Sequence, residues 1–378
     1  MKITKLYNAF FESEKSSGLF LISCTLFSLV LANSAIGSAY FYFWHTNLAG
    51  NSLEYWINDG LMTIFFLLIG LELEREVYDG ELSNIKDAML PFFGAIGGMI
   101  VPAGLFLLMN YGTKTQSGAG IPMATDIAFA LAILSLLGNR VPLSLKIFLT
   151  ALAVIDDLGA MLIIAIFYTK TLLWNNLFIA LSIFGFLLIL NRLKVRNLIP
   201  YLIGGIFMWY FMLHSGVHAT ITGVLLAFAI PFGNGDVKST SYILQHFLHK
   251  PVAFFILPLF ALANTAIILS SNIGETLTQN YSIGIALGLI IGKPLGIFLV
   301  SMLAVWMGVC KLPADLNWKS ILAVGFLGGT GFTMSIFITL LAFSDEAIIN
   351  NAKFVILLSS LIAGIVGYFS LKWVLKFK

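Results

Sequence analysis

The chain has 378 residues, of which 59% are hydrophobic and only 10% charged, and its mean hydropathy is +0.96. Soluble domains carry about a quarter charged residues, so a soluble enzyme is excluded and most of the mass belongs in lipid. The formal net charge of +3 is small, and its distribution along the chain tells more than its sum.

At about 20 residues per span, the apolar segments predict twelve transmembrane helices over 18–32, 56–73, 89–110, 116–137, 145–168, 172–190, 198–214, 217–230, 251–270, 281–310, 321–343 and 354–375. No stretch between them is long enough for a soluble domain, so residues 1–378 read as one integral membrane domain. Lys2, Lys5 and Lys15 precede an apolar run, and Ala32-Asn-Ser34 has the look of a cleavage site. An uncleaved first helix fits an even span count better. Cys24 and Cys310 are isolated thiols in apolar surroundings, which gives neither a disulfide framework nor a metal cluster.

With the N-terminus in the cytoplasm, Lys2, Lys5, Lys15, Arg75, Lys86, Arg140, Lys146, Arg192, Lys194, Arg196, Lys238, Lys250, Lys311, Lys319, Lys372, Lys376 and Lys378 all fall on the cytoplasmic side. Only Lys114, Lys170 and Lys353 fall outside, and Lys293 is left within a span. This asymmetry predicts twelve spans with both termini cytoplasmic.

The first outer loop, Ala39-Tyr-Phe-Tyr-Phe-Trp44, is aromatic and β-prone, and Gly50-Asn51 offers a turn. It suits either a hairpin that meets a second copy or an interfacial aromatic belt. Two spans carry helix breakers at their centres. The fourth reads Gly118-Ala-Gly-Ile-Pro122-Met-Ala-Thr125-Asp126, and the eleventh reads Gly325-Phe-Leu-Gly328-Gly329-Thr330-Gly331-Phe-Thr333-Met-Ser335. Backbone freed in lipid must be satisfied by protein or cavity water, so such breaks tend to line a site. A faint echo links Gly98-Met-Ile-Val-Pro102-Ala-Gly104 with Gly288-Leu-Ile-Ile-Gly-Lys293-Pro294-Leu-Gly296, each leading towards an interrupted span.

Asp126, Asp156, Asp157 and Lys293 lie deep in spans, and His218 opens the short eighth. An Asp at the bilayer centre costs about 2.5–3.5 kcal/mol, so two in succession need a purpose. Neighbours on a helix point about 100° apart. One of Asp156 and Asp157 can therefore hold an ion while the other meets a partner, and Lys293 is the obvious partner. Half-helix ends carry about half a unit charge, which Asp126 and Lys293 could neutralise. Carboxylates are hard ligands suited to a small cation. Carboxyls deprived of water hold their protons more tightly, so one site could take protons or a cation in turn. No phosphate-cradling motif points to ATP. Tyr78-Asp79 and Gly233-Asn-Gly-Asp236 match intramembrane protease motifs formally, but they lie in polar loops.

Several motifs together resemble the NhaA family of bacterial sodium/proton antiporters over nearly the whole chain. They are Trp56-Ile-Asn-Asp59, Phe65-Phe-Leu-Leu-Ile-Gly-Leu-Glu72, Arg75-Glu76, Ala124-Thr125-Asp126-Ile-Ala-Phe129, Ile155-Asp156-Asp157, Ser215-Gly-Val-His218-Ala-Thr220, Leu257-Pro-Leu-Phe260, Gly292-Lys293-Pro-Leu-Gly296 and Gly331-Phe-Thr-Met-Ser-Ile-Phe337. The resemblance implies an all-α inverted-repeat fold of twelve helices, with the fourth and eleventh broken and crossing at the midplane. It implies Asp157 as the main cation and proton carboxylate, and Asp156 as a proton-exchanging group paired with Lys293. Thr125 and Asp126 would support the crossing. Glu72, Arg75 and Glu76, with His218, His246 and His249, would belong to the pH response. It further implies electrogenic expulsion of Na⁺ or Li⁺ for a larger number of protons, without a cofactor or nucleic acid. The setting would be the lipid of a bacterial inner membrane, with a homodimer through the outer loop from Ala39 to Leu53. One departure stands out. Where the family pattern has a Glu before the first His of Leu244-Gln245-His246-Phe-Leu-His249, this chain has Gln245. The transport core should survive this change, whereas the pH threshold need not.

Overall fold

The structure, a computed structural model, describes residues 2–80, 83, 85–169, 172–233, 239–268 and 273–377, without the side chains of 2–15, 85–87 and 377. The chain is almost wholly helical. Helix α1 (Lys2–Ala32) turns by 119° into α2 (Gly37–Trp44), and the Tyr40 hydroxyl donates to Ser28 Oγ at 3.0 Å. The β-prone stretch Ala39–Trp44, read as either a hairpin or an aromatic belt, is therefore helical. The buried or half-buried residues of α2 are Gly37, Tyr40, Phe41 and Trp44, at i, i+3, i+4 and i+7 on one helix face, while Tyr42 and Phe43 are exposed. Helical periodicity outweighs the β-propensity of single aromatic residues. Among the described residues, strand pairing is confined to β1 (Asn47–Leu48) and β2 (Asn51–Ser52) about Ala49-Gly50, whose φ values of 52° and 93° fit a primed hairpin turn.

Ser52 then caps α3 (Leu53–Tyr78) by accepting from the Tyr55 amide at 3.1 Å. Helix α4 (Ile85–Asn110) is followed by a 3₁₀ helix (Gln116–Met123), a short extended link and α5 (Ile127–Ser135). Next come α6 (Leu143–Phe167), α7 (Trp174–Arg192), α8 (Ile199–Leu213), α9 (Ile221–Ala229) and α10 (Thr240–Asn264). The chain ends with α11 (Ile273–Thr278), α12 (Asn280–Trp306), α13 (Trp318–Gly328), α14 (Phe332–Ala342) and α15 (Glu346–Val374).

Among the described residues, eight helical stretches are long and apolar enough to cross a membrane, or up to ten if each bent pair is one span. The protein is thus a multi-pass membrane protein. The count falls below twelve because the seventh and eighth expected spans correspond to α8 and α9, of 15 and 9 residues. At 1.5 Å per residue both are shorter than a hydrocarbon core of about 30 Å. Two other expectations shift. The ninth span starts at Thr240, not near 251, so the stretch from Leu244 to His249 lies inside a helix capped by Ser239. Lys353, expected in an outer loop, lies in α15 at 5% exposure, with Nζ 3.5 Å from Asn264 Oδ1. Lys170, Lys238, Lys378 and Asp236 lie outside the described residues, as do the side chains of Lys2, Lys5, Lys15 and Lys86.

The chain packs as two compact units, one comprising Met1–Phe41, Asn84–Ala160 and Asn264–Lys378, the other Tyr42–Ser83 and Met161–Ala263. In the first unit α4 and α12 meet backbone to backbone. A Cβ on Gly97 would run into the Gly296 carbonyl, and one on Gly296 into that of Gly97. Small residues allow this closeness where lipid offers no hydrophobic drive. The two echoing segments of the sequence are these packed partners, with Gly292 also seated on Pro102. In the second unit α3 and α9 pack in the same manner, with Gly70 against Val224 and Ala227, and Gly223 against the α3 backbone from Thr63 to Leu67.

Candidate functional site

The first unit gathers its polar groups where two interruptions of the helical backbone meet. One is the link after the 3₁₀ helix. Ala124 (ψ 149°) and Asp126 (ψ 99°) are extended there, and Asp126 becomes the N-cap of α5. The other lies between α13 and α14, whose axes differ by 50° across Gly329–Gly331. Each interruption exposes backbone donors and acceptors that a continuous helix would consume internally. Here they satisfy one another. The Asp126 amide donates to the Thr330 carbonyl at 2.7 Å, Ser335 Oγ donates to the Ile121 carbonyl at 2.7 Å, and Thr125 Oγ1 lies 2.9 Å from the Gly328 carbonyl.

Asp126 serves two helix N-termini at once. Its Oδ1 accepts from the Phe129 amide of α5 at 3.0 Å, and its Oδ2 accepts from the Thr333 amide of α14 at 3.0 Å and from Thr333 Oγ1 at 2.5 Å. Helix N-termini carry partial positive charge and favour an anion, so one carboxylate neutralises both. Lys293 occupies the opposite electrostatic role. Its ammonium donates to the Met123 carbonyl, at the C-terminal end of the 3₁₀ helix, and to Asp156 Oδ2 at 2.6 Å. Lys293 is 0% exposed and follows a π-turn (Gly288–Gly292) in α12.

Asp156 and Asp157 lie mid-way along α6, at 0% and 1% exposure. Asp156 Oδ2 also receives Thr125 Oγ1 at 2.8 Å, while Asp156 Oδ1 accepts no hydrogen bond from the described residues. A buried carboxylate retains capacity for about four such bonds when ionised, so Asp156 has a lone-pair face open to a further cation or proton. Thr125 has one proton for two acceptors, Asp156 and Gly328, and can serve only one at a time. The ensemble therefore presents three buried carboxylates and one ammonium in a unit whose helix ends are already neutralised. Charges in so dry a setting interact far more strongly than they would in water.

The other sequence candidates lie in the second unit. Glu72 Oε1 lies 3.8 Å from His249 Nδ1, both half-buried. Arg75 is exposed and Glu76 half-buried. His246 is exposed and stacks on Tyr242 at 6.1 Å between ring centroids. His218 is in the turn before α9, its Nε2 3.1 Å from the Tyr168 carbonyl. Since Gly223 packs at Thr63–Leu67 and Gly70 at Val224 and Ala227, α3 and α9 run parallel. His218 is thus at the opposite end of that pair from Glu72. Sequence reasoning passed over Thr333 and Ser335 as site residues. Their hydroxyl side chains on the first turn after a glycine-rich break were the available signal. It also passed over Glu74, which is 4% exposed with Oε2 unbonded among the described residues.

Residues 8–371 match the family model described as Na⁺/H⁺ antiporter 1. A curated Na⁺/H⁺ antiporter NhaA of Flavobacterium psychrophilum is 89% identical over 376 residues, covering 100% of this chain and 98% of the relative. The Na⁺/H⁺ antiporter NhaA 1 of Flavobacterium johnsoniae is 64% identical, over 99% of this chain and 98% of its own. The NhaA of Cytophaga hutchinsonii is 61% identical, over 100% of this chain and 97% of its own.

Proposed function

The chain belongs to the Na⁺/H⁺ antiporter 1 family, and on that footing we propose that it exchanges cytoplasmic Na⁺ or Li⁺ for a larger number of external protons, by alternating access to Asp157 and Asp156. The reading rests above all on one observation: two adjacent, fully buried carboxylates, one of them bonded to the Lys293 ammonium at 2.6 Å. In this mechanism a Na⁺ that takes the carboxylate oxygens competes with the protons held by Asp157 and by the Asp156–Lys293 pair. One cation then displaces more than one proton. The cycle carries net charge and is driven by the membrane potential. Thr125 orients Asp156. Asp126 and Lys293 neutralise the helix ends, so that the site's field is set by the exchanging carboxyls.

The same reading gives twelve spans in a bacterial inner membrane with cytoplasmic termini, an inverted-repeat arrangement with two broken helices crossing at the midplane, and no resident cofactor. A homodimer forms through the loop from Ala39 to Leu53. Activity is regulated by pH through Glu72, Arg75, Glu76, His218, His246 and His249.

The test uses everted membrane vesicles with an acid interior built by respiration. NaCl or LiCl is added across a pH series while a ΔpH dye is followed. Wild type should dissipate the gradient, and Asp157→Asn should not, because an amide cannot cycle a proton. Near-normal turnover by Asp157→Asn would remove that carboxylate from the mechanism. The same series tests the departure at Gln245. Gln245→Glu should displace the activation pH and leave maximal exchange intact, and an unmoved profile would show that this position does not tune the response.

A further inference from the structure

One end of α15 in the first unit carries a feature that ion exchange does not use. Leu361, Ile365, Phe369 and Trp373 follow one another at intervals of four residues, so they form a single stripe along the helix. All four are exposed, at 53%, 49%, 61% and 58%. The stripe ends under a group of ammonium ions. Lys319, in the first turn of α13, holds its Nζ 5.6 Å from the centre of the Trp373 ring, and Lys372 holds its own 5.7 Å from that of Tyr368. Lys372 and Lys376 are one helical turn apart, and all three lysines are exposed. From residue 307 to the end of the chain the acids are Asp315, Asp345 and Glu346. The last two sit at the far end of α15, leaving Asp315 as the acid in the loop before α13.

This placement differs from ordinary lipid-facing surface in two respects. The cation of Lys319 sits near a helix N-terminus, where the backbone field opposes it, and α13 has no acid in its first turn to offset it. The two cation–π contacts hold flexible lysines over aromatic faces instead of leaving them free in water. The result is an exposed apolar stripe that leads to exposed lysines, two of them held over aromatic rings. We propose that this face binds an anionic phospholipid, with the phosphodiester between Lys319, Lys372 and Lys376 and an acyl chain along Leu361, Ile365, Phe369 and Trp373. Charge complementarity selects an anionic lipid over a zwitterionic one, and the stripe selects a lipid over free phosphate.

The test is native mass spectrometry of the purified full-length chain in mild detergent, titrated with dioleoyl-phosphatidylglycerol. Dioleoyl-phosphatidylcholine and inorganic phosphate serve as comparison probes. Each lysine near an anionic head group should contribute about fivefold in affinity. Replacing Lys319, Lys372 and Lys376 together by Gln should therefore weaken phosphatidylglycerol binding by about a hundredfold, and the triple Arg variant should restore it. Neutralising Arg192, Lys194 and Arg196 in the second unit should leave this tightest adduct unchanged. If the triple Gln variant fails to fold, Lys376→Gln alone, close to the chain end, should still show the fivefold loss. Equal binding by wild type and the Gln variants would overturn the proposal. So would equal retention of phosphatidylcholine, or full competition by phosphate. A change in oligomeric mass with unchanged lipid adducts would assign the face to a second copy of the chain and equally overturn it. No ion gradient enters the measurement, so its failure and the failure of the antiport reading remain separable.

Discussion

The candidate charge clusters of the two units are set in opposite surroundings. In the first, Asp126, Asp156, Asp157 and Lys293 are at most 2% exposed, and Asp126 and Lys293 are each tied to helix ends. In the second, Glu72 and His249 meet at 3.8 Å with 18% of each side chain exposed, and Arg75 and His246 are exposed. A buried ion pair without compensation costs several kcal/mol per charge, and breaking it strands the survivor. A partly wet pair is worth about 0–1 kcal/mol. The cluster of Asp126, Asp156, Asp157 and Lys293 therefore has little tolerance for altered charge, whereas the partly wet Glu72–His249 pair can be altered at small cost. The proposed function assigns ion exchange to the former and pH adjustment to the latter. Each substitution below tests that division.

Lys293→Ala is the most severe. It removes the ammonium from Asp156 Oδ2 and from the Met123 carbonyl, so a buried carboxylate and a helix C-terminus lose their partner together. The loss should be about 3–5 kcal/mol of stability, read as a drop in the thermal melting midpoint in detergent, with exchange lost as well. Unchanged melting would show that Lys293 is not a compensating charge, and the contrast between the units would fail at its strongest point.

Thr333→Val comes next. It deletes the 2.5 Å hydroxyl bond to Asp126 Oδ2 while the Thr333 amide still donates to the same oxygen at 3.0 Å. A hydrogen bond to a charged group is worth about 1.5–3 kcal/mol. The melting midpoint should fall by less than in Lys293→Ala, and half-saturation for Na⁺ should rise because the interruption no longer holds its spacing. A wild-type midpoint together with wild-type half-saturation would mean that the backbone amide alone suffices.

Thr333 also marks where the sequence stops being readable. The charged residues stand out because lipid makes each one costly, and the interruptions stand out because Gly118, Gly120 and Pro122 weaken a helix locally. Which oxygen meets which donor does not stand out, because Thr333 lies 207 residues from Asp126 and only packing joins them. The resemblance paired Lys293 with Asp156, while the residues alone left Asp157 equally eligible, since adjacent side chains differ only in azimuth. Lys353 misled for a different reason. Hydropathy windows end a span at its first charge, yet α15 continues past this lysine and buries it. The helix over Gly37–Trp44 was obscured by the β-propensity of its aromatic residues, although their spacing already matched a helix.

The mildest substitution bears on the second unit. The Glu72–His249 ion pair exists only while the imidazole carries its proton, so it strengthens at acid pH and vanishes at alkaline pH. The other ionisable groups of α10 up to that turn are Tyr242, His246 and Lys250, and Glu76 on α3 is one turn beyond Glu72. His249→Gln removes the titrating partner and keeps a polar side chain of similar reach. Stability should change by no more than about 1 kcal/mol. The pH profile of exchange should shift or flatten on its acid side, with maximal exchange and Na⁺ half-saturation retained. A collapse of maximal exchange comparable to that of Asp157→Asn would place His249 within the ion chemistry itself. Partial exposure would then no longer separate adjusting groups from exchanging ones in this protein.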